Sequence, residues 1–156
     1  MGAFWTALQT TDLAVWINLS RWVYAAIATA HVLSIAALIG SILVLDLRLI
    51  GFARWLDPRH LARLVVPVAG TALCCAVASG ALLFIGRAAE YAAFDTFRIK
   101  LALIAGAIGM TLLAHRRYGV WLQRAGDRGR VCIGLASIGL WVFVAVAGRM
   151  IAFIHG

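Results

Sequence analysis

Four apolar stretches fill most of this chain, at about 22–45, 61–85, 97–114 and 131–154, and each is bounded by charge. A hydrocarbon core roughly 30 Å thick needs about 20 consecutive apolar residues in a helix to cross it. Lipid offers no partner for a free N–H or C=O, so a run of this length is a helix whose backbone bonds close within itself. The stretches predict an all-α polytopic fold of four transmembrane helices in a single domain covering 1–156. Short connections make neighbouring spans antiparallel, giving an up-down-up-down bundle. The chain is 64% hydrophobic with a mean hydropathy of +0.97, well above the roughly 45–50% apolar content of soluble domains.

The net charge of +8 does not point to nucleic acid. The charges sit in short caps beside apolar spans, and no basic helix is interleaved with aromatics. Their distribution gives an orientation instead. The first and third inter-span loops carry Arg48, Arg54, Arg59, Arg63, Arg116, Arg117, Arg124, Arg128 and Arg130. The other side carries Arg21, Arg87, Arg98, Lys100 and Arg149, nine basic residues against five. The arginine-rich loops are expected in the cytoplasm and both termini outside.

The first twenty residues lack the basic, apolar and small-residue order of a signal peptide. Phe4, Trp5, Leu8, Leu13, Trp16 and Ile17 are apolar and flank the polar run Gln9-Thr10-Thr11-Asp12. This predicts a short interfacial helix, restarted with Thr11 or Asp12 as N-cap. Trp16, Trp22 and Tyr24 fall where an outer aromatic belt belongs.

Small residues indicate where helices approach. Ala76 and Gly80 on span two, Ala102 with Gly106 and Ala105 with Gly109 on span three have small-xxx-small spacing, and Gly134, Gly139 and Gly148 mark span four. Ordinary packing inside the bundle is the expected use. Pro67 falls early in span two, where neighbouring helices tolerate it.

Ionisable groups inside such spans are costly and mark function by default. His31 and His115 are the two histidines within or abutting apolar sequence. Neutral imidazoles on facing helices are the usual ligands of a b-type haem in a bundle, so both are candidate metal and cofactor ligands. Arg87 and Arg149 are candidate partners for haem propionates through charge-assisted bonds. Depth is the objection to a shared site: the two histidines differ by roughly 15 Å along the membrane normal at about 1.5 Å per residue. His60, after Asp57-Pro58-Arg59, reads as a loop or cap residue, and His155 as a surface residue. Asp46 is expected to pair with an inner-side arginine such as Arg63 or Arg116. Cys74, Cys75 and Cys132 form no redox spacing, and no nucleophile elbow, phosphate loop or carboxylate pair is present. No catalytic residue is named.

The run Trp22-Val23-Tyr24, then His31, Gly40 and Asp46-Leu47-Arg48-Leu49-Ile50-Gly51 resembles a bacterial family of small four-helix membrane proteins known only as a domain of unknown function. Phe97-Arg98-Ile99-Lys100-Leu101 leading to His115 looks like its third helix, and Ala147-Gly148-Arg149-Met150-Ile151-Ala152 like its fourth. At the level of architecture the chain is also similar to copper-resistance D-type proteins and four-helix b-type cytochromes. The resemblance implies a bacterial inner-membrane location. The resemblance supplies no activity, and the residues themselves leave two functions as expectations. One is a haem-b protein passing electrons, with a quinone and a membrane or periplasmic redox partner. The other is a non-catalytic membrane subunit or small transport component with no cofactor.

Overall fold

The computed structural model describes residues 2–119 and 126–154, with the side chains of 2, 3, 149 and 151–154 outside that description. Every regular element among the described residues is a helix: α1 (Gly2–Gln9), α2 (Asp12–Leu19), α3 (Arg21–Leu49), α4 (Pro58–Gly86), α5 (Ala88–Ala93), α6 (Asp95–Tyr118) and α7 (Asp127–Ile154). Helices α3, α4, α6 and α7 are long and apolar enough to cross a membrane, so this is a multi-pass membrane protein. With 29 residues each, α3 and α4 are about 43 Å long at 1.5 Å per residue. They overrun the hydrocarbon, and this is why the helices begin or end a few residues outside the apolar stretches. A helix loses nothing by continuing into the headgroup layer, where its charged side chains meet water.

Local chemistry sets the ends. Thr11 caps α2, its hydroxyl accepting from the Ala14 N–H at 3.4 Å. Ser20 does the same for α3 through the Val23 N–H at 3.3 Å. Asp57 caps α4 through the Arg59 N–H at 2.8 Å, with Pro58 following at the first helical position, where its missing N–H costs no bond. The turn after α3 needs left-handed backbone at Gly51 (φ 105°) and Ala53 (φ 50°). Arg48 holds that turn closed by donating to the carbonyls of Leu56 and Arg54. The N-terminal segment is thus two helices rather than one. They pack over the end of the bundle where α4 meets α5: Asn18 donates to the Gly86 carbonyl at 2.8 Å, and Gln9 accepts from the Ala89 N–H at 3.3 Å.

The tightest pair is α3 with α4. Buried Ala62, Val65, Ala72, Ala76 and Ser79 follow a three-four spacing along α4, the seam of two helices crossing at a small angle. Nearly all are small, so the backbones come close. Helix α3 also packs on α7, and α7 on α6, but α4 and α6 bring no Cα pair within 8 Å among the described residues. The mid-bundle core joins Leu38, Ala72, Ala107, Trp141 and Val144, at least one from each span. Most remaining large apolar side chains face outward, among them Leu33, Leu64, Leu113 and Phe143. A soluble protein would aggregate through such a surface; in a bilayer it is the solvated one. Trp22 and Trp55, 87% and 83% exposed, project at opposite ends of the bundle, at the two interfaces where indoles partition.

The small residues divide by use. Ala76 is buried and Gly80 lies against His31, so the α4 pair packs inside the bundle. Ala102, Ala105 and Gly106 are exposed, and a Cβ on Gly106 or Gly109 would meet nothing within 4 Å. The expectation of internal packing therefore fails for α6. Its small residues face the lipid side because Ala107, between them, is the residue that points into the core.

Candidate functional site

Asp46 is the buried acid of this bundle, 4% exposed near the arginine-rich end of α3. It shares the inward face of α3 with Leu38, Ile42 and Leu49, eight, four and three positions away. Opposite it, α7 presents a stripe of Gly134, Ser137, Trp141 and Val144, all buried. Gly134 makes the approach possible, since a Cβ there would lie 2.9 Å from Ile50 Cγ2. One turn further along α7, Ser137 is the side-chain hydrogen-bonding neighbour of the Asp46 carboxyl. The second carboxylate oxygen, Oδ2, is buried with no hydrogen-bond partner among the described residues, and so is the indole Nε1 of Trp141. Arg63 and Arg116 do not pair with Asp46. The ion pairs among the described residues are all one-turn local contacts, such as Arg98–Asp95 at 3.2 Å and Arg87–Glu90 at 3.9 Å. Both arginines are exposed whereas Asp46 is buried, which corrects the expected pairing.

A cavity of about 210 Å³ opens beside Asp46. Its walls come from all four spans and are overwhelmingly apolar, with Ser41, Thr111, His115 and Ser137 as the other polar members. The Thr111 hydroxyl is committed to the Ala107 carbonyl at 2.9 Å. The cavity follows the seam between α4 and α6. Gly70 and Leu112, one on each side of that seam, line it and are also exposed, so it reaches the lipid-facing surface. A second hollow of about 170 Å³ lies on the other side of the α3–α7 contact, and Asp46 and Trp141 line both.

His31 sits elsewhere. Its Nδ1 is 3.0 Å from Ser79 Oγ. The Ser79 hydroxyl donates its own proton to the Cys75 carbonyl at 2.6 Å, so the imidazole Nδ1–H is the donor and Nε2 the acceptor nitrogen. The ring lies on Gly80, where a Cβ would come within 2.9 Å of Cε1. Leu38 and Ala107 belong to the same mid-bundle core cluster. His31 lies seven residues from Leu38 towards the termini, and His115 eight residues from Ala107 towards the arginine-rich end. At 1.5 Å per residue that puts them about 22 Å apart along the bundle, wider than the depth difference read from the sequence. The two histidines do not come together, and the cavity that His115 lines is smaller than the roughly 300–1,000 Å³ of a pocket for a drug-sized ligand. One haem held by His31 and His115 does not fit this geometry.

Of the remaining candidates, Arg149 lies on α7 with its side chain outside the described residues, and His155 lies outside them altogether. Arg87 is paired with Glu90 at the opposite end from the cavity. His60 contacts Asp57 at 3.3 Å in the exposed first turn of α4. There the Arg59 N–H, followed by the charges of His60, Arg59 and Arg48, holds the Asp57 carboxyl below its ordinary range. The sequence reading missed the joining of Asp46, His115, Ser137 and Trp141 into one cavity. The three-four-three spacing of Gly134, Ser137, Trp141 and Val144 was the available signal. The chain matches no family model, no curated protein and no solved structure.

Proposed function

We propose that this protein is a membrane binding or small transport component that works without a redox cofactor, with Asp46 as its working group. One observation carries the reading: a carboxylate 4% exposed, with Oδ2 unpartnered, beside a half-open apolar cavity. An acid in such surroundings is strongly destabilising unless something compensates it, and a purely structural acid acquires a full set of partners. The cavity's lining, apolar with a few convergent polar groups, is that of a small-molecule site, at a volume of about 210 Å³ that suits a ligand smaller than drug-sized. The location that goes with this reading is a bacterial inner membrane with both termini periplasmic, supported by the nine-to-five division of basic residues.

A haem-b electron carrier, linked to a quinone and a redox partner, is the second reading, and one observation favours it. The His31 Nδ1–H bonded to Ser79 leaves Nε2 as the acceptor, the orientation a metal-ligating imidazole takes. It would rest on His31 without His115.

An absorption spectrum of the purified protein, paired with thermal unfolding of Asp46→Asn in detergent, separates these. The first reading expects no haem bands, and an Asp46→Asn variant that unfolds at the same or a higher temperature, because asparagine keeps a bond to Ser137 without the orphaned charge. Haem bands lost in His31→Ala would establish the second reading. Clear destabilisation of Asp46→Asn would make the acid structural and overturn the first.

A further inference from the structure

We infer that the Asp46 cavity receives a small lipophilic amine in its protonated form, which enters sideways from the bilayer between α4 and α6. The inference rests on the cavity reading above and names the class of ligand. Charge gives the sign. Asp46 and His115 are the titratable groups on the cavity wall, and the buried, orphaned one is the acid. An anionic ligand would meet the carboxylate head on. Hydrated inorganic cations are a poor match as well, since ions such as Ca²⁺ and Mg²⁺ demand about six or more oxygen ligands. Here the wall offers Asp46 with three hydroxyls, one of them committed to its own helix.

An ammonium group needs less. Its N–H donates to Asp46 Oδ2, a charge-assisted bond that satisfies the orphaned acceptor. The indole of Trp141, in the same wall, supplies a π-face to a desolvated cation. The rest of the ligand must be apolar, because Leu38, Leu45, Leu73 and Ile133 surround it. The route follows from the packing. Helices α4 and α6 leave a seam with no Cα pair within 8 Å among the described residues, and exposed Gly70 and Leu112 stand at its edges. A molecule already dissolved in the hydrocarbon reaches Asp46 through that seam without crossing the charged surface.

Binding of 2-phenylethylamine, 2-phenylethanol and 3-phenylpropionate to the full chain in nanodiscs, measured by calorimetric titration, tests this. The three share an aromatic body and differ in head-group charge. Saturable binding of the amine is expected, with the alcohol and the carboxylate weaker by about tenfold or more, and Asp46→Asn should weaken the amine about 10- to 100-fold, the size of a hydrogen bond to a charged group. Gly70→Leu is the second variant. A Cβ at Gly70 meets nothing within 4 Å and Gly70 lines the cavity, so leucine there takes up cavity space, and amine binding should be lost while the unfolding temperature is not lowered. Amine and alcohol binding equally, both blocked by Gly70→Leu and both weakened by Asp46→Asn, would overturn the amine and leave the Asp46 cavity reading standing. No saturable binding by any of the three, or amine binding that survives both variants, would overturn the inference together with the cavity reading.

Discussion

Gly134 lies so close to the last turn of α3 that a Cβ on it would sit 3.0 Å from the carbonyl oxygen of Asp46. That neighbour is backbone, which cannot rotate away, so Gly134→Ala must push α7 off α3. Alanine gains up to about 1 kcal/mol of helix propensity over glycine, whereas overpacking of a close contact costs about 1–3 kcal/mol. The clash should win. We expect Gly134→Ala to unfold at a lower temperature in detergent and to disturb the placement of Ser137 beside Asp46.

Gly106→Ala is the opposite case. Nothing lies within 4 Å of a Cβ at that position, so only propensity acts, and the variant should be as stable as the parent or up to about 1 kcal/mol more stable. A loss of stability at Gly106 would show that the exposed α6 stripe packs against a second molecule in the membrane. Thermal unfolding with size-exclusion chromatography measures both.

The charge asymmetry makes a topological prediction. With Cys74, Cys75 and Cys132 replaced, single cysteines at Trp55, 83% exposed in the arginine-rich turn, and at Glu90, at the other end, report the two faces. A membrane-impermeant maleimide applied to intact cells should label position 90 and spare position 55. The reverse pattern would invert the orientation.

Acid should loosen the start of α4. The Asp57 carboxyl is held below its ordinary value first by the Arg59 N–H and then by the neighbouring cations. A carboxyl depressed in the folded state contributes stability that is fully present above its unfolded value and is lost as pH falls through the lower, folded one. Hydrogen exchange in the first turn of α4, corrected for intrinsic rates, should therefore rise as pH drops below the ordinary carboxylate range. Asp57→Asn keeps a competent cap and should flatten that dependence.

How much of this was legible in the sequence depended on the kind of signal. The four spans were readable because length and hydropathy are properties of a segment alone, and the Thr11 restart because a cap is local chemistry. Which face of each helix is buried was not readable, because lipid-facing and core-facing residues are equally apolar and the usual amphipathic period disappears. Alanines at 62, 72 and 76 mark the α3–α4 seam, yet alanines crowd the rest of the chain too. Asp46 stands out in the sequence as a charge at the end of a span, and an inner-side arginine is the partner such a position suggests. Its actual neighbours, Ser137 and Trp141, come from a helix some ninety positions later, and only the packing of α7 on α3 brings them there.

The His31–Ser79 bond, 3.0 Å across the α3–α4 seam, can be measured by a double-mutant cycle of His31→Leu and Ser79→Ala. Interhelical hydrogen bonds in membranes average about 0.6 kcal/mol and reach about 1.7. This one has a defined donor, and its hydroxyl acceptor is already polarised by its own bond to Cys75. A coupling of about 1 kcal/mol is therefore expected, outside the roughly 0.3–0.5 kcal/mol scatter of independent sites. Ser79→Ala alone should destabilise, because it removes the hydroxyl the imidazole donates to and leaves it only the Ala76 carbonyl. Additive single and double variants would mean that Gly80, by admitting the ring, holds His31 in place through packing alone. In that event Gly80→Ala, whose Cβ would meet Cε1 at 2.9 Å, should be the more damaging of the two α4 substitutions.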